Sequence, residues 1–327
     1  MTRREFIALL GGAAAWPLAA RAQQRERVRR VGVLTNAREA NFPLISAVFR
    51  DELQKLGWME GRNLQLDYRN GAGDFSRARA YAAELVKLSP DVLVISGGPA
   101  LTVVQNETKA IPIVVMGAGD VEASGEVKNL AHPEGNTTGF TNAYNSLGGK
   151  WLELLKEVAP TISRVAFLFN RPSVPDRPNS YLPSVKEAAQ ALALSLAEVP
   201  VVDAVGMTTA VEHFAMEPNG GLLIGPGVVL ARSDEMIRLI AQSRLPAIYG
   251  SRDFVARGGL ISYDADLDEI QRGVAGYVDR LLRGAKVSDL PVQYPTKFRL
   301  VVNLKAAKAI GLTIPESFLR RADEVIE

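Results

Sequence analysis

A strand, a glycine turn and a helix follow one another between residues 91 and 109, and this unit constrains the fold more than any other stretch. The run 92–95 is apolar throughout, and it lies between Pro90 and the turn Gly97-Gly98-Pro99. A short apolar run bounded in this way predicts a strand buried on both faces, and the residues after Pro99 have helical spacing. The unit therefore indicates a strand inside a sheet that is covered by helices.

The same alternation of apolar runs and helical segments recurs along both halves of the chain. In the first half it predicts strands at 31–35, 63–69, 91–96, 111–116 and 136–141, and helices at 43–57, 75–88 and after Pro99. In the second half it predicts strands at 164–169, 195–202, 221–224, 246–249 and 260–264, and helices at 150–158, 184–194, 233–244 and 267–283. This pattern is typical of a doubly wound α/β fold with parallel strands. Because it occurs twice, we predict two lobes, each with its own parallel sheet.

The boundaries of the two lobes are placed where one pattern stops and the next begins. We assign residues 28–145 and 290–327 to an N-terminal lobe and residues 146–289 to a C-terminal lobe, because the last predicted strand, 298–302, has no partner of its own. The segments that cross between the lobes are expected near 142–148, 264–268 and 289–295.

Two segments of the second half lack this regular pattern. Residues 171–183 contain four prolines, and residues 207–219 follow no clear strand or helix pattern. Prolines restrict the backbone and remove hydrogen-bond donors, so they interrupt helices and strands. We predict that both segments are loops.

The first 22 residues have the features of an export signal. Arg3, Arg4 and Phe6 precede an apolar run at 8–20, and Ala20-Arg21-Ala22 offers the small residues that signal peptidase accepts. We expect a cleaved signal peptide at residues 1–22, and the paired arginines favour the twin-arginine route. A retained membrane helix is disfavoured, because the apolar run is shorter than the roughly 20 residues that a bilayer requires. The mature protein is therefore predicted to be periplasmic.

Composition restricts the partners of the mature chain. There is no cysteine, so neither a lipid anchor nor a disulfide is expected. Removal of residues 1–22 lowers the number of Lys and Arg residues from 38 to 35 and that of Asp and Glu residues from 36 to 35. This balance argues against nucleic acid and against anionic membrane surfaces. We expect a monomer that binds a small-molecule ligand.

Residues typical of catalysis or metal binding are sparse. His132 and His213 are the only histidines, and no HExxH motif or cysteine is present, so no zinc or thiol site is expected. The chain also lacks a Gly-x-Ser-x-Gly elbow, a Walker sequence and a GxGxxG motif. We therefore predict no cofactor, no metal and no catalytic residue.

Five stretches resemble the TrpX-like family of ABC-transporter substrate-binding proteins. They are GWMEGRN at 57–63, IPIV at 111–114, GNTTG at 135–139, the region 245–259 with YGSRDF, and PTKFRLVVNLKAAKAIGLTIP at 295–315. The resemblance implies a type I periplasmic binding protein fold, in which two α/β lobes joined by three crossovers hold the ligand in the cleft between them. It also implies an ABC permease in the inner membrane as the partner, and some relatives bind aromatic amino acids.

The residues that follow the strands are the candidate ligand-binding residues. In open α/β sheets, ligands bind outside the carboxyl ends of the strands. Small polar residues and glycines dominate there, which suits a pocket that binds through backbone amides and hydroxyl groups. The candidates are Thr35, Asn36, Ser96, Gly97, Gly98, Pro99 and Asp120 in the first lobe, and Asn170, Pro226, Tyr249, Ser251, Arg252 and Ser262 in the second.

An amino acid ligand would assign roles to some of these residues. Ser96 and the amides near Gly98 would donate to the carboxylate, Asp120 would accept from the ammonium, and an aromatic residue such as Tyr249 or Phe42 would cover the side chain. Each residue has a structural alternative. The glycine turn can connect strand to helix without a ligand, Asp120 can cap a helix, Tyr249 can pack in the core, and Arg252 can pair with a neighbouring acid.

Three classes of function are compatible with this sequence. The first, which we favour, is the binding component of an ABC importer that closes on a solute and presents the closed form to a permease. The second is an exported two-lobed enzyme, such as a racemase or glycosyltransferase, for which Asp120 and Asp264 are the available carboxylates. The third is a periplasmic ligand sensor.

Overall fold

A computed structural model describes residues 27–35, 42–72, 74–117, 121–122, 125–142, 145–170, 179–226, 228 and 233–327. The expected signal peptide at 1–22 and residues 171–178 of the proline-rich segment lie outside the described residues. The candidate ligand residues Asn36 and Asp120 lie outside them as well.

The first sheet has five strands among the described residues, all parallel, in the order β2-β1-β3-β4-β5. The strands are β1 (Arg29–Thr35), β2 (Leu64–Asn70), β3 (Val92–Ser96), β4 (Ile113–Met116) and β5 (Thr137–Phe140). The helices between them are α1 (Phe42–Lys55), α2 (Phe75–Lys87) and α3 (Gly98–Glu107). The apolar residues of β3 and β4 are buried, as the sequence predicts for strands covered on both faces.

Local sequence signals explain where these helices begin. Asp74 caps α2, because its side chain accepts hydrogen bonds from the backbone N–H groups of Ser76 and Arg77 at 2.8 and 3.1 Å. Gly97 precedes α3 with a φ of 96°, a conformation that favours glycine. The strand, turn and helix predicted at 91–109 are therefore confirmed.

The second sheet has seven strands within the described part of the chain, in the order β12-β11-β10-β9-β8-β6-β7. Its pairs are parallel except β10 with β11, which is antiparallel. The strands are β6 (Arg164–Asn170), β7 (Ser195–Val201), β8 (Gly220–Ile224), β9 (Ala247–Tyr249), β10 (Ile261–Ala265), β11 (Phe298–Asn303) and β12 (Glu324–Ile326).

The helices of this lobe are mostly those that the sequence predicts. They are α4 (Leu147–Val158), α5 (Leu182–Ala191), α6 (Ala204–Ala215), α7 (Ser233–Gln242), α8 (Arg252–Ala256), α10 (Leu304–Ala309) and α11 (Glu316–Leu319). The prediction of a loop at 207–219 is wrong, because α6 covers most of it. Asp203 caps this helix by accepting from Gly206 N–H at 2.8 Å, and Met207 and Val211 are buried.

The remaining long helix, α9 (Leu267–Leu282), packs on the first sheet. Asp266 caps it by accepting from the backbone N–H groups of Asp268 and Glu269. Its buried side chains, Ile270, Val274, Val278 and Leu281 among them, lie in one cluster with Val31, Val33 and Val92. A helix that follows a strand of the second sheet therefore completes the core of the first.

The chain crosses between the lobes three times, after β5, after β10 and before β11. These places agree with the crossings expected near 142–148, 264–268 and 289–295. The lobe assignment of 267–289 is wrong, because α9 belongs to the core of the first lobe. The assignment of 290–327 holds only at its start, because β11 and β12 belong to the second sheet. Leu300 of β11 lies opposite Tyr263 of β10. The last predicted strand, for which the sequence showed no partner, therefore pairs with β10.

Candidate ligand-binding site

The carboxyl ends of the strands of both sheets lie at the junction of the lobes. The first crossing segment leaves the carboxyl end of β5 and the second leaves that of β10. Because neighbouring parallel strands end at the same edge, Thr35, Ser96 and Met116 share that edge in the first sheet. Ile224, Tyr249 and Ser262 share it in the second. This is the position where open α/β sheets bind ligands.

Hydrogen bonds hold the first and third crossing segments side by side. Thr141 N–H donates to Gln293 O at 2.9 Å, and Gln293 N–H donates to Gly139 O at 2.8 Å. The Gln293 side chain also donates through Nε2 to the hydroxyl of Tyr277 in α9 at 3.2 Å. The third segment is therefore attached to the first lobe up to residue 293.

A second set of contacts joins the second and third crossing segments. Asp266 N–H donates to Lys297 O at 2.9 Å, and Glu269 accepts from Lys297 N–H at 3.0 Å and from Thr296 Oγ1 at 2.9 Å. Arg299 pairs with Asp266 at 3.0 Å. Between residues 293 and 296 the third segment passes from contacts with β5 and Tyr277 to contacts with the second crossing and the start of α9.

The candidates of the first lobe are arranged around the ends of β1 and β3. Thr35 is buried, with 1% of its surface exposed, and Ser96 is half-buried at the end of β3. Gly97 precedes α3, while Gly98 and Pro99 form its start, and no described side chain caps this helix. No described side chain therefore accepts a hydrogen bond from the first backbone N–H groups of α3. Such N–H groups at a helix start can bind a carboxylate.

Four candidates of the second lobe lie around the ends of β6, β8, β9 and β10. Asn170 is exposed at the end of β6, whereas Ser262 is completely buried in β10. Pro226 is half-buried and packs against Gly250, where an added Cβ would come within 2.7 Å of Pro226 Cδ. Ser251 is half-buried and precedes α8. The turns after β8 and β9 are therefore in direct contact.

Tyr249 and Arg252 make the structural contacts that were named as their alternatives. Tyr249 is 1% exposed and stacks on Phe254 with ring centroids 5.3 Å apart, and burial raises the pKa of its hydroxyl. Arg252 pairs with Glu324 of β12 at 3.5 Å. The prediction that Tyr249 covers the ligand is thus corrected by its place in the core, since an aromatic ring at the end of a central strand is enclosed by the neighbouring helix.

Four buried oxygens at the junction have no hydrogen-bond partner among the described residues. They are Thr35 Oγ1, Ser262 Oγ, Asp264 Oδ1 and Gln271 Oε1. Buried polar atoms are normally bonded to protein, water or ligand, so each such atom requires an explanation. The four come from both lobes: Thr35 ends β1, Ser262 and Asp264 lie in β10, and Gln271 lies in the first part of α9. Oxygens of this kind are suited to accept hydrogen bonds from a polar ligand.

Sequence reasoning selected Thr35 and Ser262 but did not assign Asp264 or Gln271 to the ligand. Asp264 was interpreted as the end of a strand and, in the enzyme hypothesis alone, as an available carboxylate. Gln271 lies next to Ile270 and one turn before Val274, so it occupies the apolar face of an amphipathic helix. A polar residue on such a face is a signal that could have identified Gln271.

Asp264 differs from the other three because it is an acid. Its Oδ2 accepts from Arg252 N–H at 3.1 Å, and its Oδ1 is buried. Burial raises the pKa of this carboxyl to about 7, although the Arg252 amide and the charge of the Arg252 side chain act in the opposite direction. The carboxyl of Asp264 therefore loses its proton, and becomes negatively charged, as the pH rises through about 7.

Two further features are absent from the described part of the chain. No three acidic or histidine side chains there are grouped so that they could hold a metal ion. Within the same residues, no helix combines the length and the hydropathy needed to cross a bilayer.

The two lobes, three crossings and polar strand ends define a type I periplasmic binding protein fold. The chain belongs to the ABC transporter substrate binding protein family, whose sequence profile matches residues 30–326. It is 22% identical to the tyrosine-binding protein of Clostridioides difficile (strain R20291) over 264 residues, which are 81% of this chain and 75% of that protein.

Two solved structures share the fold along most of the chain. A conserved domain protein from Vibrio cholerae is 26% identical, with a TM-score of 0.80 over 91% of this chain and 100% of that one. An ABC domain in complex with L-Trp from Streptococcus pneumonia is 24% identical, with a TM-score of 0.82 over 91% of this chain and 99% of that one. Membership of this family supports the binding-protein hypothesis over the enzyme and sensor hypotheses.

Proposed function

We propose that this protein captures an amino acid, such as an aromatic one, in the cleft between its lobes for an ABC importer. The observation that carries the proposal is the set of four buried oxygens, from β1 and α9 of the first lobe and from β10 of the second, that have no partner among the described residues. The names of two relatives, a tyrosine-binding protein and a protein in complex with L-Trp, support an amino acid as the ligand.

The carboxylate of the ligand binds at the start of α3 in this proposal. Ser96 and the amides around Gly98 are the donors, and the absence of a side-chain cap within the described part of this helix start supports the assignment. Asp120, which follows β4 in the sequence, is proposed to accept from the ammonium group. Asn36, Asn170, Pro226 and Ser251 are proposed to line the remaining cleft.

Binding is proposed to close the two lobes about the crossing segments. The bonds that change partner between residues 293 and 296 support a hinge there. Small-angle scattering of the free and the saturated protein should show a smaller radius of gyration with ligand. An unchanged scattering profile at saturation would contradict closure.

The mature protein is proposed to be a periplasmic monomer that delivers its ligand to an inner-membrane permease. The export pattern at residues 1–22 and the paired arginines support secretion by the twin-arginine route. We also infer that the protein does not convert its ligand, because the relatives named above are binding proteins.

A thermal-shift screen of residues 23–327 tests this function directly. The panel contains amino acids, sugars, short peptides and small aromatic acids. A ligand that binds only the folded state adds about 2.7 kcal/mol to the free energy of unfolding at 100 times its Kd, so amino acids should raise the midpoint. An unchanged unfolding midpoint with every amino acid, or consumption of the compound that binds, would contradict the proposal.

Replacing Asp120 tests the proposed ammonium contact. Asp120→Asn should weaken binding of the amino acid more than about tenfold, since a hydrogen bond to a charged group contributes roughly 1.5 to 3 kcal/mol. Calorimetry measures the change, and Asp91→Asn at the opposite edge of the sheet is the control that should keep wild-type affinity. Unchanged affinity of Asp120→Asn would remove this residue from the site.

A further inference from the structure

We propose that Asp264 is the residue of the second lobe that accepts a hydrogen bond from the ammonium group of the ligand, with the Ser262 hydroxyl beside it. The inference rests on the proposed function, because it presumes that the ligand is an amino acid. It adds a second acid to the site and makes binding depend on the charge of the ligand and on pH.

The position of Asp264 in the sheet brings it to the junction of the lobes. Tyr249, the last residue of β9, pairs with Ser262 of β10. Asp264 lies two residues further along, so it extends past the end of β9 by about 6.6 Å. Residues two apart in a strand point to the same face, so Asp264 and Ser262 lie on one face of β10. The chain crosses to the first lobe directly after Ala265.

The carboxylate of Asp264 has one oxygen engaged and one available. Oδ2 accepts from Arg252 N–H at 3.1 Å, whereas Oδ1 is buried and has no partner in the described structure. An ionised carboxylate accepts several hydrogen bonds, and an ammonium group donates three. A bond between the two is charge-assisted and therefore among the stronger ones in proteins. The neighbouring Ser262 Oγ is likewise buried without a partner among the described residues.

The charged groups on α8 leave the pKa of Asp264 raised. Arg252 donates to Asp264 through its backbone amide, and its guanidinium, which pairs with Glu324 at 3.5 Å, lowers the pKa of Asp264 by less than burial raises it. Asp253, the next residue of the helix, adds a like charge that favours the neutral form of Asp264. A ligand cation would oppose both this repulsion and the cost of burial.

Arg299, the cation on the neighbouring strand, also pairs with acids other than Asp264. Arg299 of β11 lies opposite Asp264 in the antiparallel ladder. Its guanidinium pairs with Asp266 at 3.0 Å and lies 3.5 Å from Asp268. Both acids belong to the second crossing and the start of α9. Neither arginine near Asp264 therefore bonds its buried oxygen.

This arrangement couples the charge of the ligand to closure of the lobes. Asp264 lies in the second lobe, two residues before the crossing, and Thr35 Oγ1 and Gln271 Oε1 of the first lobe are likewise buried without a partner among the described residues. A ligand with an ammonium group would bridge acceptors of both lobes. An analogue that lacks the amine would leave Asp264 buried without compensation, so the closed form would discriminate against it.

Binding should depend on pH because the ionised form of Asp264 is the acceptor. Burial raises the pKa of this group to about 7 in the free protein, so a growing fraction is protonated as the pH falls below that value. A bound ammonium favours the ionised form and lowers this pKa. Affinity should therefore be constant above about pH 8 and fall up to about tenfold per pH unit below about pH 7.

The experiment compares wild type with Asp264→Asn. Calorimetry at about pH 8 measures binding of L-tyrosine and L-tryptophan and of their deaminated analogues, 3-(4-hydroxyphenyl)propionate and indole-3-propionate. Wild type should prefer each amino acid to its analogue by more than about tenfold, and Asp264→Asn should lose most of this preference. The asparagine keeps an oxygen that accepts from Arg252 N–H, so α8 should remain anchored. Asp91→Asn, at the other edge of the first sheet, should retain the full preference.

The outcomes separate the inference from the function on which it rests. A wild-type protein that binds neither amino acid would overturn both. Wild-type binding together with unchanged preference and pH dependence in Asp264→Asn would overturn the inference alone. If the variant does not fold, the wild-type data decide: affinity that stays constant between about pH 5.5 and 8, or analogues that bind as well as the amino acids, would overturn it.

Discussion

The two lobes share one architecture but obtain their cores from the chain in different ways. Every strand of the first sheet comes from a continuous stretch, 29–140, and all are parallel. The second sheet takes its strands from 164–265 and again from 298–326, and it includes the antiparallel pair β10–β11. Between these two parts lies α9, which packs on the first lobe.

The comparison shows that each lobe builds its core from two stretches of the chain. One face of the first sheet is covered by α2 and α3 through residues such as Leu85, Leu101 and Val104. The other face is covered by α1 and α9, and α9 follows a strand of the second sheet. The second sheet is covered in part by α4, which follows β5 of the first sheet. The first lobe therefore needs α9 from the later stretch, and the second lobe needs β11 and β12 from the last one.

The largest expected effect comes from separating the first lobe from α9. A fragment of residues 27–142 should fail to unfold cooperatively, because buried Ile270, Val274 and Val278 each contribute roughly 1.5–3 kcal/mol of burial that the fragment lacks. Far-UV circular dichroism during heating measures this. A peptide of residues 266–293 added in trans should restore a transition.

A fragment of the second lobe that keeps both of its stretches is the counterpart of this test. Residues 145–265 joined to 297–327 by a short flexible linker should unfold cooperatively without any part of the first lobe. A cooperative transition in 27–142 alone, or none in the second-lobe fragment, would contradict these assignments of the two cores.

Each lobe also has a tryptophan whose indole N–H anchors a core element, and the one in the second lobe should matter more. Trp151 of α4 is 1% exposed and donates through Nε1 to Tyr263 O of β10 at 2.6 Å. Trp151→Phe leaves this carbonyl without its donor and creates a cavity, so it should lower the free energy of unfolding by about 2–3 kcal/mol. Urea unfolding followed by circular dichroism measures this loss. A change below about 1 kcal/mol would contradict it.

The corresponding contact in the first lobe should be worth less. Trp58 is half-buried and donates through Nε1 to Asp279 Oδ1 of α9 at 2.8 Å. After Trp58→Phe, Asp279 retains its ion pair with Arg283 at 2.6 Å, so the loss should be about 1 kcal/mol. Urea unfolding of both tryptophan variants under the same conditions gives the two losses in free energy of unfolding. A larger loss for Trp58→Phe than for Trp151→Phe would reverse the order that burial predicts.

The smallest effect is expected at the amino edge of the first sheet. Burial raises the pKa of Asp91, but hydrogen bonds from Arg30 N–H and Arg29 and the charges of nearby arginines outweigh it, so the net pKa is lowered. Asp91→Asn should lower stability near pH 7 by about 0.5–1 kcal/mol. A lowered pKa stabilises the fold above the unfolded pKa. The difference from wild type should therefore disappear as the pH falls through the folded pKa of Asp91, and a difference that persists in acid would contradict this origin.

Sequence patterns predicted most strands and helices because their signals are local. The run at 92–95 is apolar on both faces, and Gly97 marks its end, so β3 and α3 were found at their observed places. Helix α6 was missed because its sequence, with Gly206 and two threonines, has little helical periodicity, and its stability comes from Met207 and Val211 in the core. Strand β12 has three residues, too few for any periodicity.

For the candidate site, position along the chain was a better guide than residue type. Thr35 and Ser262 were selected because they end or continue strands, and both have buried hydroxyls without partners in the described structure. Tyr249 was also selected by position, but the role proposed for it rested on its aromatic ring, and the ring is in the core. The roles of Ser96 and Asp120 stay predictions.

The sequence by itself determined the two α/β patterns, the three crossing places and the edge of each sheet where a ligand would bind. These features depend on hydrophobic periodicity and on glycine or proline at turns, which act over a few residues. Only the tertiary structure decided which lobe receives α9, β11 and β12 and which side chains end without a partner at the junction. These placements depend on which apolar faces and open strand edges meet in space. The residues that form those faces and edges lie far apart in the chain.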